Sequence, residues 1–585
     1  MAIPRVEDPN AVRFGGCVSE RRTDVASACD IVRASYKKSQ MQLTAAILCI
    51  SLALSVNVLQ IGTSLDQRVD QVFAAYDKAD SPGCVLGVIR NGNFIYRKAY
   101  GMGSLELGVP LSPQSVFYMG SVSKQFTAAS VVLAAEQGFL SLDDDVRKYI
   151  PEIPAYGQPI TLREMLHHTS GFPDVLGLLE VSGRDPMGSH STEELMSLIA
   201  RQKAINYGPR GEYRYSNTNY FLLAQVVKRA TKKPLSEFAA ENIFKPLGMA
   251  HTRFYDDSTV VVPGRVAAYA FGQNGQFLVN WSTDYDMVGG GGLMSTVDDL
   301  LLWDRNFYEN KLGKGTLITE IQTRGVLKSG EKSNYALGLL LNTYRGLPTV
   351  EHGGALFGYQ TEVVRFPEQK FTVLCLCNVS SADPDRLSHK VADIYLEEQL
   401  HDTPSAAVAS GSDPDLFVGK YFDRGTHFLV SIKSAGGNLI EQGNVLKPTG
   451  TNQFEDPIVG GNFTFSRGRD GAMKATVVYN HETTFDGTRI RDFHIQDGTL
   501  TSYAGVYRSA ELDATYNLAV EEGSLTLRMN WDPVIKLEPI ARDEFGDADG
   551  VTLSFQRDEK GRISGLSVWA GWNGWIRNEA FARVN

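Results

Sequence analysis

At 585 residues the chain has room for about three or four domains, and a composition of 43% hydrophobic and 21% charged residues is that of globular proteins. The formal net charge of −10 argues against nucleic-acid binding as its main business. Six cysteines, at positions 17, 29, 49, 84, 375 and 377, are too few for a disulfide framework.

Residues 1–40 lack hydrophobic periodicity and are expected to be disordered. Residues 43–56 form an apolar run broken only by Thr and Ser, and Lys37 and Lys38 precede it. Its length is that of a signal-peptide core rather than of a full membrane span. Residues 41–62 are therefore expected to be a signal peptide or membrane anchor, with the bulk of the chain exported: periplasmic or membrane-anchored. A buried helix is the competing reading, and a misassigned start in this segment would make the protein cytoplasmic.

Residues 66–79 read as an amphipathic helix. Asn91-Gly92 is a two-residue turn between apolar runs at 85–89 and 94–98, the signature of a hairpin. Gly120-Ser121-Val122-Ser123-Lys124 then opens a helix over 127–137. Residues three apart share a helix face, so the Lys124 amine can reach the Ser121 hydroxyl. Serine needs a base to become a nucleophile, and a lysine desolvated enough to lose its proton can be that base. A serine at a helix start also offers its own N–H to a developing oxyanion.

Asp143, Asp144 and Asp145 are read as helix-start acids in preference to a calcium site. Thr161 and Glu164 form a capping box, and the helix it starts is expected to end at Thr169-Ser170-Gly171. His167 and His168 are neighbours there, with no zinc-type spacing. Tyr215 and Asn217 are two apart, so on an extended segment both point the same way, ahead of a helix over 221–230. A phenol can relay a proton, and a carboxamide can donate and accept toward a substrate amide. Glycines 289 to 292 are read as close packing beside a site, since no Gly-Lys-Ser/Thr follows to make a phosphate loop.

Strands are expected over 335–342, 349–352, 358–366 and 370–378, and a closing helix over 383–400. At the end of the second of these starts His352-Gly353-Gly354-Ala355, where glycines on a strand edge admit a ligand and the Ala355 amide is expected as a second oxyanion donor. Cys375 and Cys377 face the same side of a strand and are read as core residues, not a bridge. Residues 403–415 have linker composition, and an all-β texture with an internal repeat follows. Phe417 to Tyr421 matches Tyr503 to Tyr507, Phe465 matches Phe555, and Phe493 matches Phe581, at offsets of 86 to 90 residues. Two small antiparallel barrels in tandem are the simplest account.

Taken singly, Ser-x-x-Lys is also what a solvated helix face shows, Tyr-x-Asn an aromatic core turn and His-Gly-Gly a plain turn. In order along one chain, Ser121-x-x-Lys124, Tyr215-x-Asn217 and His352-x-Gly354 resemble the serine β-lactamase and penicillin-binding family, class C and DD-peptidase branch. Leu166-His167-His168-Thr169-Ser170-Gly171 and Gly290-Gly291-Gly292-Leu293-Met294-Ser295-Thr296 support the resemblance, which covers roughly residues 65–400. Within that family the likeness is strongest to bacterial D-aminopeptidase, which also ends in two lipocalin-like barrels.

The resemblance implies a multidomain α+β chain. A hydrolase domain at 63–402 would hold an antiparallel sheet flanked by helices, with an inserted all-helical lobe. A linker at 403–415 would lead to β-barrel 1 at 416–498 and β-barrel 2 at 499–585. It further implies Ser121 as nucleophile, Lys124 as base and Tyr215 as proton relay, with Asn217, His352, Gly354 and Ala355 binding substrate. Where relatives carry Lys-Thr-Gly, this chain has His352-Gly353-Gly354, so the lysine charge that would hold a substrate carboxylate is missing. A loop of the last barrel is expected at the cleft, with residues 530–534 one choice.

The function expected is an acyl-enzyme hydrolase, a D-aminopeptidase-like peptidase or amidase on short peptides or small molecules. A carboxylesterase or β-lactamase of the same fold is the alternative, and a penicillin-binding-type sensor of peptidoglycan fragments is the non-enzymatic one. No metal, cofactor or nucleic acid is expected, and the sequence admits a homo-oligomer.

Overall fold

The structure is a computed structural model. It describes residues 64–272, 275–279, 287–401, 413–456, 461–479, 482–495, 499–529, 534–547, 550–571 and 575–584. The expected leader, most of the linker and most of the 530–534 loop lie outside these residues. No helix among the described residues is long and apolar enough to cross a membrane.

The hydrolase part begins with helix α1 (Leu65–Phe73) and strands β1 (Cys84–Arg90) and β2 (Asn93–Tyr100). Asn91 and Gly92 join the two strands with φ of 52° and 72°, the left-handed pair a type I′ hairpin turn requires. Helices α2 (Ser123–Glu136), α3 (Asn217–Thr231) and α4 (Val297–Glu309) precede β3 (Leu340–Tyr344), β4 (Leu347–Leu356), β5 (Tyr359–Phe366), β6 (Phe371–Cys377) and helix α5 (Pro384–Tyr395). The six strands form one antiparallel sheet in the order β3-β4-β5-β6-β1-β2.

Both faces of that sheet are covered, so β6 at its centre is buried along its whole length. In β1, Val85 and Ile89 face the core shared with α2 and the helical lobe, while Leu86 and Val88 face the core shared with α1 and α5. A buried ion pair between Arg365 of β5 and Asp304 of α4 (2.8 Å) ties a helix to the sheet, and the Thr372 hydroxyl donates to the same carboxylate at 2.8 Å. Apart from α3, the lobe between α2 and α4 is built from short helices. Thr161 and Glu164 make both halves of the expected capping box, but the helix it starts, Leu162–Leu166, ends before His168.

The cysteine reading needs correction. Cys377 is bridged to Cys84, which lies directly opposite it on the neighbouring strand, whereas Cys375 is a free, buried core residue. Strand order, which places β1 beside β6 across almost 300 residues of chain, is what brings the pair together.

The C-terminal part is two antiparallel β structures of the same plan. The second is a closed eight-stranded barrel running from Gly505 to Val584. The first is nearly closed: its nine-stranded sheet is interrupted at Leu446, between Asn444–Val445 and Lys447–Gly450, where the second has one continuous strand, Ile535–Ala541. The repeat is visible in detail. Tyr421 donates to the Phe417 carbonyl at 2.8 Å, and Tyr507 donates to that of Tyr503 at 2.8 Å. The expected match of Phe493 with Phe581 fails, because Phe493 lies past the last strand, 37% exposed, while Phe581 is buried in a strand. Arg489 and Arg583 correspond instead, each donating to carbonyls near the start of its own repeat.

Candidate active site

Ser121 sits in a single 3-10 turn, Gly120–Val122, that runs straight into α2. Gly120, at φ 52°, and Gly354 of β4 lie against each other there. A Cβ on Gly120 would stand 2.6 Å from the Ala355 nitrogen, and one on Gly354 would stand 2.1 Å from the Met119 oxygen and 2.8 Å from the Ser121 nitrogen. Only glycine at both positions lets the strand approach the helix start this closely, and the approach brings the Ser121 and Ala355 amides to the same place.

Lys124 follows one turn later and is completely buried. Its Nζ has three oxygen partners: Ser121 Oγ at 2.9 Å, Asn217 Oδ1 at 2.9 Å and the Gly290 carbonyl at 2.6 Å. The rings of Tyr215 and Tyr220 lie 4.7 and 5.8 Å from it. Burial pushes its pKa down to about 7, with the nearby Asp174 carboxylate pulling the other way. Gly290 belongs to the four-glycine loop, and a Cβ on its neighbour Gly289 would meet the Tyr220 oxygen at 2.4 Å, so this loop does pack tightly beside the site.

The Tyr215 hydroxyl donates to Ser121 Oγ at 2.8 Å. Tyr215 and Asn217 do converge, but not from one continuous strand: helix α3 begins at Asn217, with the extended Ser216 as its N-cap. Asp174 starts this helix from outside. Its carboxylate caps the helix Val175–Val181 and also accepts from both the backbone N–H and the Nδ2 of Asn217. Asn217 thus spends its Oδ1 on Lys124 and one Nδ2 hydrogen on Asp174, leaving one donor. His352 lies 6.3 Å from Tyr215 between ring centroids, and its Nε2 meets the Tyr335 hydroxyl at 3.0 Å. Burial and the Lys124 charge hold its pKa down to about 3, so it is neutral at physiological pH.

Ser121, Lys124, Tyr215, Asn217, His352, Gly354 and Ala355 are therefore brought together. Asp174 and Tyr335 were not anticipated, and His168 and the Gly290 carbonyl were given no role of their own beyond the motif and the tight packing read there. Asp174 carried a signal, since an Asp between Pro173 and an apolar run is an N-cap pattern. The three acids at 143–145 are occupied by protein: Asp145 caps a 3-10 turn, Asp144 accepts from Ser141, Lys148 and Tyr149, and Asp143 accepts from Arg163.

The second barrel reaches this region through Trp575 and Arg577. The Trp575 carbonyl accepts from the Asp174 N–H at 3.2 Å and from Asn206 Nδ2 at 2.9 Å. Arg577 grips Glu212, three residues before Tyr215, with two bonds of 3.1 and 3.0 Å.

A family model described as Beta-lactamase matches residues 69–396. The chain is similar to the D-aminopeptidase of Brucella anthropi, 25% identical over 512 residues that cover 83% of this chain and 93% of that one. It is similar to penicillin-binding protein 4* of Bacillus subtilis, 28% identical over 348 residues covering 56% of this chain and 75% of that one. Among solved structures, the octameric penicillin-binding protein homologue from Pyrococcus abyssi shares the fold, with a TM-score of 0.53 at 20% identity over 80% of this chain and 98% of that one.

Proposed function

The chain belongs to the Beta-lactamase family, and from that premise we propose that this serine hydrolase is a D-aminopeptidase-like peptidase or amidase acting on small peptides with D-residues. The observation that carries the mechanism is the set of three partners around Lys124. Asn217 Oδ1 and the Gly290 carbonyl can only accept, so they take two N–H bonds. A neutral amine has two N–H bonds and one lone pair, and the lone pair is left for the Ser121 hydroxyl.

Lys124 then takes the Ser121 proton as the oxygen attacks the substrate carbonyl carbon. The Ser121 and Ala355 amides stabilise the oxyanion, each worth roughly 3 kcal/mol. Tyr215 passes a proton to the leaving amine, and the remaining Asn217 hydrogen holds the substrate, while His352, whose ring nitrogens meet the Gly353 carbonyl at 2.6 Å and the Tyr335 hydroxyl, packs beside Tyr215. Water cleaves the acyl-enzyme by the same proton path in reverse.

Two observations support the substrate class. The likeness to D-aminopeptidase extends over 93% of that protein rather than over the hydrolase part alone. His352, neutral and buried, leaves the strand position without the cation that would hold a carboxylate. The test compares D-alanyl-p-nitroanilide, its L-isomer, p-nitrophenyl butyrate and nitrocefin on the full chain. Ser121-dependent turnover preferring the D-anilide is expected, turnover of the ester alone points to the carboxylesterase, and full activity in Ser121→Ala overturns the site.

Export is proposed alongside. The buried Cys84–Cys377 disulfide supports an oxidising compartment. Recovery of the mature chain in the cytosol with an intact Met1 would refute it.

A further inference from the structure

His168 is 0% exposed and has a φ of 55°, a left-handed conformation rare for any residue but glycine. Such strain costs on the order of 1–3 kcal/mol and persists where surrounding structure or function demands it. Its contacts indicate the demand. The His168 carbonyl accepts from the Arg214 N–H at 3.0 Å, and its Nδ1 accepts from the Ser216 N–H at 3.1 Å. Asn219 Nδ2 approaches the same Nδ1 at 3.2 Å. The N–H groups on either side of Tyr215 are thus held by two atoms of one residue, one of the backbone and one of the ring. Tyr215, between them, has its hydroxyl on Ser121 Oγ.

The ring is a wall as well as an acceptor. Its centroid lies 4.4 Å from that of Tyr215, 4.6 Å from Tyr335 and 5.0 Å from Tyr220. With Nδ1 accepting, the proton sits on Nε2, which has no hydrogen-bond partner among the described residues. Burial and the neighbouring Lys124 keep this ring uncharged, which preserves the Nδ1 lone pair.

We infer that His168 is a positioning residue for the acyl transfer, holding the N–H groups of Arg214 and Ser216 so that the Tyr215 hydroxyl is aimed at Ser121. The inference rests on the serine-hydrolase reading of the site. It gives the left-handed turn a purpose: φ near 55° is what lets the carbonyl and the ring nitrogen of one residue face the same stretch of chain. Asparagine tolerates that backbone and carries an acceptor, Oδ1, at the distance of Nδ1 from Cα, whereas glycine tolerates it and carries none.

The experiment uses the full chain with His168→Asn, His168→Gly, Tyr215→Phe and the His168→Gly/Tyr215→Phe double variant. The acylation rate of Ser121 by a fluorophosphonate probe is read beside kcat and KM on the best substrate of the panel. His168→Asn is expected within threefold of the native chain. His168→Gly should lose about 10²-fold in kcat with KM within threefold, as for a catalytic group misplaced by about 1 Å. In the Tyr215→Phe background the same change should cost less than threefold, because His168 acts through that phenol. Equal losses for Asn and Gly, a loss confined to KM, or additive effects in the double variant would each overturn the inference. If the native chain is not labelled at Ser121 the site reading itself falls, a result distinct from labelling that is indifferent to His168.

Discussion

Lys124 makes the sharpest demand on the site, because its proton must be absent for Ser121 to be activated. Its pKa of about 7 stands against 10.5 for a solvated lysine. That drop of about 3.5 units is worth on the order of 5 kcal/mol between the charged and neutral forms. At pH 7 about half of the molecules carry the neutral amine, and at pH 5.5 about 3% do, so kcat/KM should fall roughly 30-fold from its plateau to pH 5.5 along a single-proton limb. His352 and His167, held down by burial to about 3 and about 4, do not titrate in that window. Glu579 of the second barrel does, pushed up to about 7 by burial and by Glu511, so Glu579→Gln is the control and should leave the limb in place. Stability should move with the same proton. Between pH 7 and 10.5 the unfolded chain binds the proton that the folded chain has lost, so stability rises with pH across that interval, and below pH 7 the full penalty of the buried cation applies. Lys124→Met should therefore be inactive yet melt higher than the native chain at pH 6. Steady-state kinetics from pH 5 to 9.5 and thermal melts at pH 6 and 9 test both statements. A flat kcat/KM from pH 5.5 to 8, or a limb that shifts in Glu579→Gln, would refute the assignment.

Gly354→Ala would drive a Cβ to 2.1 Å from the Met119 oxygen and push β4 away from Ser121. Single-turnover acylation should fall about 10²- to 10³-fold, as for a lost oxyanion donor, and a rate within threefold of native contradicts the reading. Asp304→Ala leaves Arg365 buried without its carboxylate and should destabilise the chain by about 3–5 kcal/mol in urea, with a loss under 1 kcal/mol counting against it. Cys84→Ser with Cys377→Ser should lower stability by about 2–5 kcal/mol but leave kcat unchanged at 20 °C, because the bridge is packed with the α1 and α5 core and not with the Ser121 helix.

What was legible in the sequence is what depends on neighbours in the chain. Asn91-Gly92 sets its own turn, Thr161 and Glu164 cap their own helix, and Ser121 and Lys124 are one turn apart whatever surrounds them. The Tyr421 and Tyr507 repeat was legible because each tyrosine bonds four residues back. What was not legible depends on strand order or on distant partners. Cys84 meets Cys377 only because β1 lies beside β6. Helix α3 starts at Asn217 rather than at Phe221 because Asp174, 43 residues upstream, accepts its first N–H. The apolar periodicity that marks a helix begins after the polar residues of that first turn, so the pattern alone starts the helix late.

The arrangement of Asp174, Asn217 and Lys124 explains why a carboxamide stands between an acid and an amine. A carboxylate placed directly on Lys124 would favour the ammonium and raise its pKa, removing the base. Asp174 is fully buried, and burial pushes its own pKa up, while the N–H groups of Asn217, Leu176 and Gly177 draw it back toward ionisation. It therefore spends its charge on amide hydrogens and touches Lys124 only through Asn217. Asn217 carries orientation without carrying charge: its Nδ2 is fixed on Asp174, so its Oδ1 is fixed on Nζ, and the lone pair of the amine is left facing Ser121. Asn217→Asp would test this directly. It is isosteric, yet it places a carboxylate against Lys124 and opposite Asp174. The acid limb of kcat/KM should move to higher pH by more than one unit, and an unmoved limb would mean that the carboxamide orients substrate and not the base.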